Sequence, residues 1–314
     1  MAKKTVQVPS ERKKRTPRYR SFRLSKPIPV EPYGNIPPAK VLWKDTWQFI
    51  WKNKKQFLIF WLIYTVLYLI VVKGISGFKF DAVNLKVAMD EVIAGHLSNL
   101  LQALAQYASL ISSITATTSD ISNYTQITAL IIFSLAFIRL LRSLHSKRHP
   151  GTVKLAFYEG MRPLIPFVLV IAVMLLELIP AGFGLFVLYT AQGASVVTTD
   201  PELLGIAVIA VLLLAISLYL LSGSIFSLYI VTIKKMQPIQ SLRISMRLLH
   251  LHRWIVFRRL IMLIIFLLLV GFLLTIPVLA WVPQYTEQIF FVLVCGAFAV
   301  IHTYMYKLYR ILIA

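Results

Sequence analysis

The residue best placed to do chemistry in this chain is a carboxylate inside an apolar run. Glu177 sits in VMLLELIPAG, with Pro180 three residues on and Gly182 and Gly184 beyond it. A charge in hydrocarbon is costly unless it is paired, protonated or hydrated, so Glu177 should face the interior of a helix bundle. Pro180 has no N–H and frees a backbone carbonyl one turn back. A carboxyl beside a distorted helix suits a proton or cation site, or a grip on a polar headgroup. It equally suits a structural hydrogen bond to Ser217, Ser222 or Thr275 on a neighbouring span. His302, in the last apolar run, is a titratable partner for Glu177 or an interfacial side chain.

Two histidine pairs, His145/His149 and His250/His252, have spacings that could ligate a metal. Arg142, Lys147, Arg148 and Arg253 stand among them and would repel a cation, so neither a metal nor a cofactor is expected. Cys295, the one cysteine, reads as helix packing. The chain has no phosphate-binding loop, Ser-His-Asp set, HExxH or glycine-rich nucleotide fingerprint. No catalytic residue is assigned, and the reading is non-enzymatic. The other chemistry-bearing residues are cations interleaved with apolar residues: Lys44, Lys52, Lys54, Lys55, Arg162, Arg243, Arg247 and Arg253. That pattern suits contact with anionic lipid headgroups.

These side chains need elements to hold them, and composition says which. Of 314 residues, 58% are hydrophobic and 14% charged, and the mean hydropathy is +0.74. Such a chain is neither an ordinary soluble enzyme nor a disordered one. Six runs approach the roughly 20 residues that a spanning helix requires. They are Phe57–Val72 (extending toward Phe78 if Lys73 snorkels), about Ile121–Leu141, Leu164–Thr190, Leu203–Ile233, about Leu260–Val282 and about Ile289–Tyr306. A helix over Leu203–Ile233 would be about 46 Å long, so it must tilt or protrude. The first run follows a long basic tail with no cleavage site, so it is expected to persist as a span. Between these runs, 30 of the 33 Lys and Arg fall on one side. Cations stay cytoplasmic, so both termini are expected inside, in a cytoplasmic membrane.

The expected fold is all-α: a polytopic bundle of six transmembrane helices, built as three repeats of an amphipathic elbow helix plus a helical hairpin. The repeats begin at Ala39, near Val153 and near Ile239. In the first elbow Trp43, Trp47, Ile50 and Trp51 share a helical face; in the third Ile239, Leu242, Met246 and Leu249 do. Phe157, Met161 and Arg162 mark the shorter second. The expectation is that these helices lie in the headgroup layer with the apolar face down. Pro180 in one span and Pro277 and Pro283 around another should bend the helices and open a cavity between repeats.

The segments AKVLWKDTWQFIWKNKKQFLIF, VKLAFYEGMRPLIPFVLVIAV and IQSLRISMRLLHLHRWIVFRRLIML carry a resemblance. Each is similar to the elbow-plus-span element of the YciC-like bacterial six-span membrane proteins, and of the membrane domain found beside some glycerophosphodiester phosphodiesterases. The resemblance covers roughly residues 39–310. SFRLSKPI resembles tails of membrane proteins from small-genome candidate-phylum bacteria. The family implies a bacterial cytoplasmic-membrane location and no settled activity. The phosphodiesterase catalytic domain has no counterpart here.

Two further pieces complete the expected organisation. Residues 1–38 form a basic, Pro-rich tail, expected to be disordered. Its cations suit anionic lipid, nucleic acid or the ribosome (residues 1–26), or an unidentified membrane-protein partner. Residues 79–125 form an extracytoplasmic insertion. A single helix over about Asp81–Ser112, with Val83, Val87, Val92, Leu97, Leu100, Leu101, Leu104, Tyr107 and Ile111 as its apolar face, should rest on the membrane or cap the bundle. Three functions then compete: envelope or lipid upkeep through basic interfacial helices, transport with Glu177 in the pathway, and lipid-phosphate enzymology. The last needs clustered acids or histidines at one face, which are missing. The topology has a direct check. With Cys295 replaced by alanine, a cysteine at Asp200 should react with an impermeant maleimide in intact cells and one at Lys235 should not. Equal labelling would overturn the arrangement.

Overall fold

Backbone N–H and C=O groups in lipid must find partners inside their own segment. In the computed structural model every regular element among the described residues is accordingly helical. Those residues are 37–74, 77–78, 80, 82–94, 100–115, 120–146, 151–193, 200–233, 236–250 and 252–313. The basic tail, except Pro37 and Pro38, lies outside them.

The chain opens with α1 (Ala39–Lys52) and, after Asn53 alone, α2 (Lys54–Tyr68), which runs on as a π-helical turn over Leu69–Lys73. Then come α3 (Ala82–Ile93), α4 (Leu100–Thr115) and α5 (Asp120–His145). Next are α6 (Val153–Gly160), α7 (Leu164–Glu177), α8 (Ile179–Gly193), α9 (Asp200–Ser224) and the one-turn α10 (Ser227–Ile230). Last are α11 (Pro238–Leu249), α12 (Arg253–Trp281) and, beyond a 3₁₀ turn at Pro283–Tyr285, α13 (Thr286–Ile313). Five helical stretches are long and apolar enough to cross a membrane: Lys54–Lys73, Asp120–His145, Gly205–Ile230, Arg253–Trp281 and Pro283–Ile313. Counting the bent pair α6–α7 as one crossing gives up to six. The protein is thus membrane-embedded and multi-pass by the length and composition of its helices.

Burial separates the middle of the bundle from its flanks. In α5 and α13, 44% of the apolar stretch is buried by protein, against 11% in α12, so α12 shows most of its surface to lipid. An aromatic cluster joins the middle helices. Phe60 of α2 lies 4.6 Å from Phe137 of α5 and stacks at 5.7 Å on Phe157 of α6; Tyr64 meets Phe298 of α13 at 4.8 Å.

Several elements depart from the sequence reading. The insertion is two helices, α3 and α4, packed on each other; residues 95–99 between them lie outside the described ones. The buried face is also different. Val83 and Val87 are more than half exposed and Leu104 is exposed as well; Tyr107 is buried as expected, but its buried neighbours are Leu85, Ala88, Met89, Ala103, Leu110 and Ile114. The hairpin does more than cap the bundle. Tyr107 donates a hydrogen bond to the carbonyl of Leu268, 3.2 Å away. Leu268 is 13 residues before Trp281, about 20 Å along α12. The run 164–190 is broken at Leu178, and the run 203–233 turns at Ile225–Phe226 before α10. The first break has a cause in Pro180, which cannot donate to the preceding turn. Pro277, by contrast, lies inside an unbroken α12.

Lys73 does not snorkel. Its Nζ donates to the Ser113 carbonyl at 2.8 Å and faces the Glu287 carboxylate at 4.0 Å, with side-chain exposures of 2% and 4%. Glu287 also accepts the N–H of Phe80 at 2.7 Å. One ion pair therefore ties the end of α2, the hairpin and the start of α13. Removing one partner of a buried pair is more damaging than replacing both with apolar groups. Lys73→Met should lower stability by about 3–5 kcal/mol. The double variant Lys73→Met/Glu287→Leu should recover most of that in a thermal melt of the solubilised protein. Additive losses would show that the pair does not couple these elements.

Candidate functional site

Glu177 ends α7, one residue before the break, and accepts a hydrogen bond from the Ser224 hydroxyl. Arg253 lies beside the same end of α9, where a Cβ on Gly223, next to Ser224, would stand 3.1 Å from its Nη2. A second bridge crosses the same contact: the Ala181 N–H donates to the Ser217 hydroxyl at 2.9 Å. Ser217 is thus engaged by the backbone that Pro180 disturbs, rather than by the carboxylate. Ser222 and Thr275, the other expected partners, hydrogen-bond to carbonyls of their own helices. The helix break brings Glu177 to α9, and close packing of Gly184 against Ala210 of α9 holds α8 there.

His302 is not brought to Glu177 by any hydrogen bond. Its ring lies between the Ser134 hydroxyl and the Tyr229 hydroxyl, each at 3.3 Å, among Phe137 and Phe298. It belongs to the aromatic middle of the bundle. Among the described residues no group of three or more His, Cys, Asp or Glu could hold a metal. His149 lies outside those residues, and His145 packs against Phe49 and Tyr306.

The three basic amphipathic segments are all helices, but they meet their surroundings differently from the expectation. On α1, Trp47 and Trp51 are exposed and stack on each other at 6.0 Å, while Trp43 turns inward onto Phe266 and Tyr304. Lys44 and Lys52 of α1, and Lys54 and Lys55 of α2, are exposed beside the tryptophans. On α11 the buried stripe is Ser241, Leu242, Ser245 and Leu249, with Ser245 donating to the Gly223 carbonyl at 2.7 Å. Ile239, Ile244 and Met246 stay exposed with Arg243 and Arg247. Arg253 is held by the Tyr219 carbonyl at 3.0 Å and lies 4.1 Å from the Tyr219 ring.

The second segment is the most different. Helix α6 packs along α5, and a Cβ on Gly160 would stand 3.1 Å from the Ala136 Cα. Ala136 is nine residues, about 14 Å, inside the His145 end of α5. So α6 climbs beside α5 and then turns by 76° into α7. The small residues Ala156 and Gly160 allow that approach.

This climb assembles a constellation the sequence reading passed over. Arg139 and Arg142 lie one turn apart on α5. The Arg139 Nε donates to Glu159 of α6 at 2.8 Å, and its Nη2 donates to the same oxygen. Arg142 donates to the carbonyls of Tyr229 at 3.0 Å and Thr232 at 2.8 Å, and to the Thr232 hydroxyl at 2.8 Å. Two cavities, of about 310 and 480 Å³, flank the Arg139–Glu159 pair, and Arg162 lines the larger. A third, of about 410 Å³, lies between Asp45, Lys52, His145 and Lys307. All three sit at the basic ends of the helices, not between the proline-bearing segments. The missed signal is SLAFIRLLRSL, where two arginines interrupt an apolar run. Their partner, on a different helix, has no fixed spacing from them.

No protein-family model, no curated protein and no solved structure matches this chain.

The role of Glu177 can be separated into hydrogen bond and charge. Glu177→Ala should destabilise the solubilised protein by about 1–3 kcal/mol, and Glu177→Gln by less than half as much, because an amide still bonds Ser224. Ser224→Ala should add little in the Glu177→Ala background. If Gln proves as damaging as Ala in the melt, the charge facing Arg253 is what holds the contact.

Proposed function

We propose that the chain is a six-span protein of a bacterial cytoplasmic membrane, with both termini cytoplasmic and a threefold elbow-and-hairpin plan like that of the YciC-like proteins. Its work is envelope or lipid upkeep without catalysis, through contact between its basic helices and the anionic inner leaflet. The observation that carries this reading is the exposed surface of α1 and α11. On both helices exposed cations alternate with exposed large apolar residues: Lys44, Trp47, Trp51 and Lys52 on one, Ile239, Arg243, Ile244, Met246 and Arg247 on the other. Apolar side chains of this size partition into the acyl boundary, while cations one turn away reach phosphate. In a six-span plan 30 of the 33 Lys and Arg fall on one side, which supports the orientation. The basic tail would add to the same attraction by its charge alone.

A second reading, transport with Glu177 in the path, is favoured by the helix break beside that carboxyl. Glu177 makes a bond to one neighbouring helix and lines none of the three cavities described. The lipid-contact reading therefore has the broader support.

Each cation near an anionic surface contributes about 1 kcal/mol. Replacing Lys44, Lys52, Lys54, Lys55, Arg243 and Arg247 with glutamine should cut the anionic lipid retained through purification at least several-fold, measured by lipid mass spectrometry. Folding, judged by the melting curve, should persist. Unchanged lipid retention would remove the proposal.

A further inference from the structure

The structure assigns a phosphate-binding site to the paired cavities around Arg139, Arg142 and Arg162, and the ligand class is a phosphate monoester carried on an apolar chain. This site goes beyond the surface contacts of the basic helices and uses different residues.

The argument begins with charge. Three guanidinium groups line these cavities against one carboxylate, Glu159. Glu159 is committed to Arg139. Arg142 donates to neutral oxygens at the end of α10 and also meets the Tyr306 hydroxyl, so dipoles hold its charge in place without cancelling it. A cation fixed this way inside a membrane protein favours an anion near it. Over the two cavities together the surplus is about two positive charges, with Arg142 in the smaller and Arg162 in the larger on either side of the shared Arg139–Glu159 pair; a terminal phosphate carries close to −2 at neutral pH. Guanidinium forks suit that group, since they present parallel donors to phosphate oxygens.

Shape adds the second half. The smaller cavity holds more of the polar groups, with Arg139, Arg142, Ser143, Ser146 and Thr152 beside Leu155 and Ala156, and the Ser146 and Thr152 hydroxyls can donate to phosphate. The larger one shares Arg139 and Glu159 but is otherwise mostly apolar, with Leu135, Pro163, Pro166, Val231, Ile233 and Met236. Both have the size of ordinary ligand sites. Two cavities that share the Arg139–Glu159 pair, one richer in polar groups and the other in apolar ones, fit a head and a tail. The 76° turn between α6 and α7 helps to build this arrangement, because Glu159 stands at the end of α6 and Arg162 in the turn itself, and both line the larger cavity. An arriving phosphate competes with Glu159 for Arg139, so Glu159 holds the arginine ready while the site is empty of anion.

The probes are dioctanoyl phosphatidate, dioctanoyl phosphatidylglycerol and inorganic phosphate, titrated calorimetrically onto the solubilised full chain. Phosphatidate should bind about tenfold tighter than phosphatidylglycerol, whose phosphate is a diester with a single charge. Ser146→Glu, at an exposed lining position, should weaken phosphatidate about tenfold with an unchanged melting curve. Glu159→Gln should tighten it several-fold although it removes an ion pair; a merely structural role for Glu159 predicts no gain. The six-glutamine variant of the basic helices should bind within twofold of the parent, which separates failure here from failure of the lipid-contact reading. Inorganic phosphate binding as tightly as phosphatidate would overturn the apolar half and leave a free phosphate as ligand. No preference for phosphatidate, or indifference to both Ser146→Glu and Glu159→Gln, would overturn the site.

Discussion

Hydrocarbon offers no hydrogen bonds, so each polar group carried into it must be met by another part of the protein. That demand shapes the bundle more than any apolar contact does. Lys73 is met by Ser113 and Glu287, Arg139 by Glu159, Arg142 by the end of α10, Glu177 by Ser224, and the Ala181 N–H by Ser217. Each of these contacts crosses between different helical elements. Apolar packing alone would discriminate poorly among arrangements, because lipid tails solvate Leu and Ile as well as a neighbouring helix does. Polar partners have few places to go, and so they fix which helices touch.

The same physics explains what was legible beforehand. Five of the six apolar runs coincide with helical stretches long and apolar enough to cross a membrane, and the sixth, 164–190, is divided between α7 and α8. Which face of a helix turns inward is a different matter. In soluble proteins an apolar stripe points to the core; here Val83 and Val87 are as apolar as Leu85 and Met89, yet they face away. Small residues are the better guide, since Ala88, Ala103, Ala156 and Gly160 all lie at contacts. The division of the insertion into α3 and α4 was missed because its apolar spacing runs on through residues 95–99. The climb of α6 along α5 was missed because its length and composition suit the headgroup layer equally well.

The candidate sites divide along the same line. Glu177 stands out by sequence because one charge in a long apolar run is conspicuous, and the helix break beside it follows from Pro180. The partners of Glu177 and His302 depend on which helices pack together, and no spacing reveals that. The arginine cavities show the opposite case. Arg139 and Arg142 sit close to a basic helix end and read as topology determinants, until the turn after α6 sets Glu159 and Arg162 around them.

The junction at Asn53 has a bearing on how this chain can vary. One residue separates α1 from α2, and its N–H still bonds back to Phe49 and Ile50. There is no slack in such a joint. Each residue added to a helical path advances it by about 100°. An insertion there would swing Phe57, Phe60 and Tyr64 away from Phe137, Phe133 and Phe298 while leaving every hydropathy profile unchanged. Length at this corner is therefore constrained as tightly as side-chain shape is in the middle of the bundle, and related chains should differ there by substitution before they differ by an inserted or deleted residue.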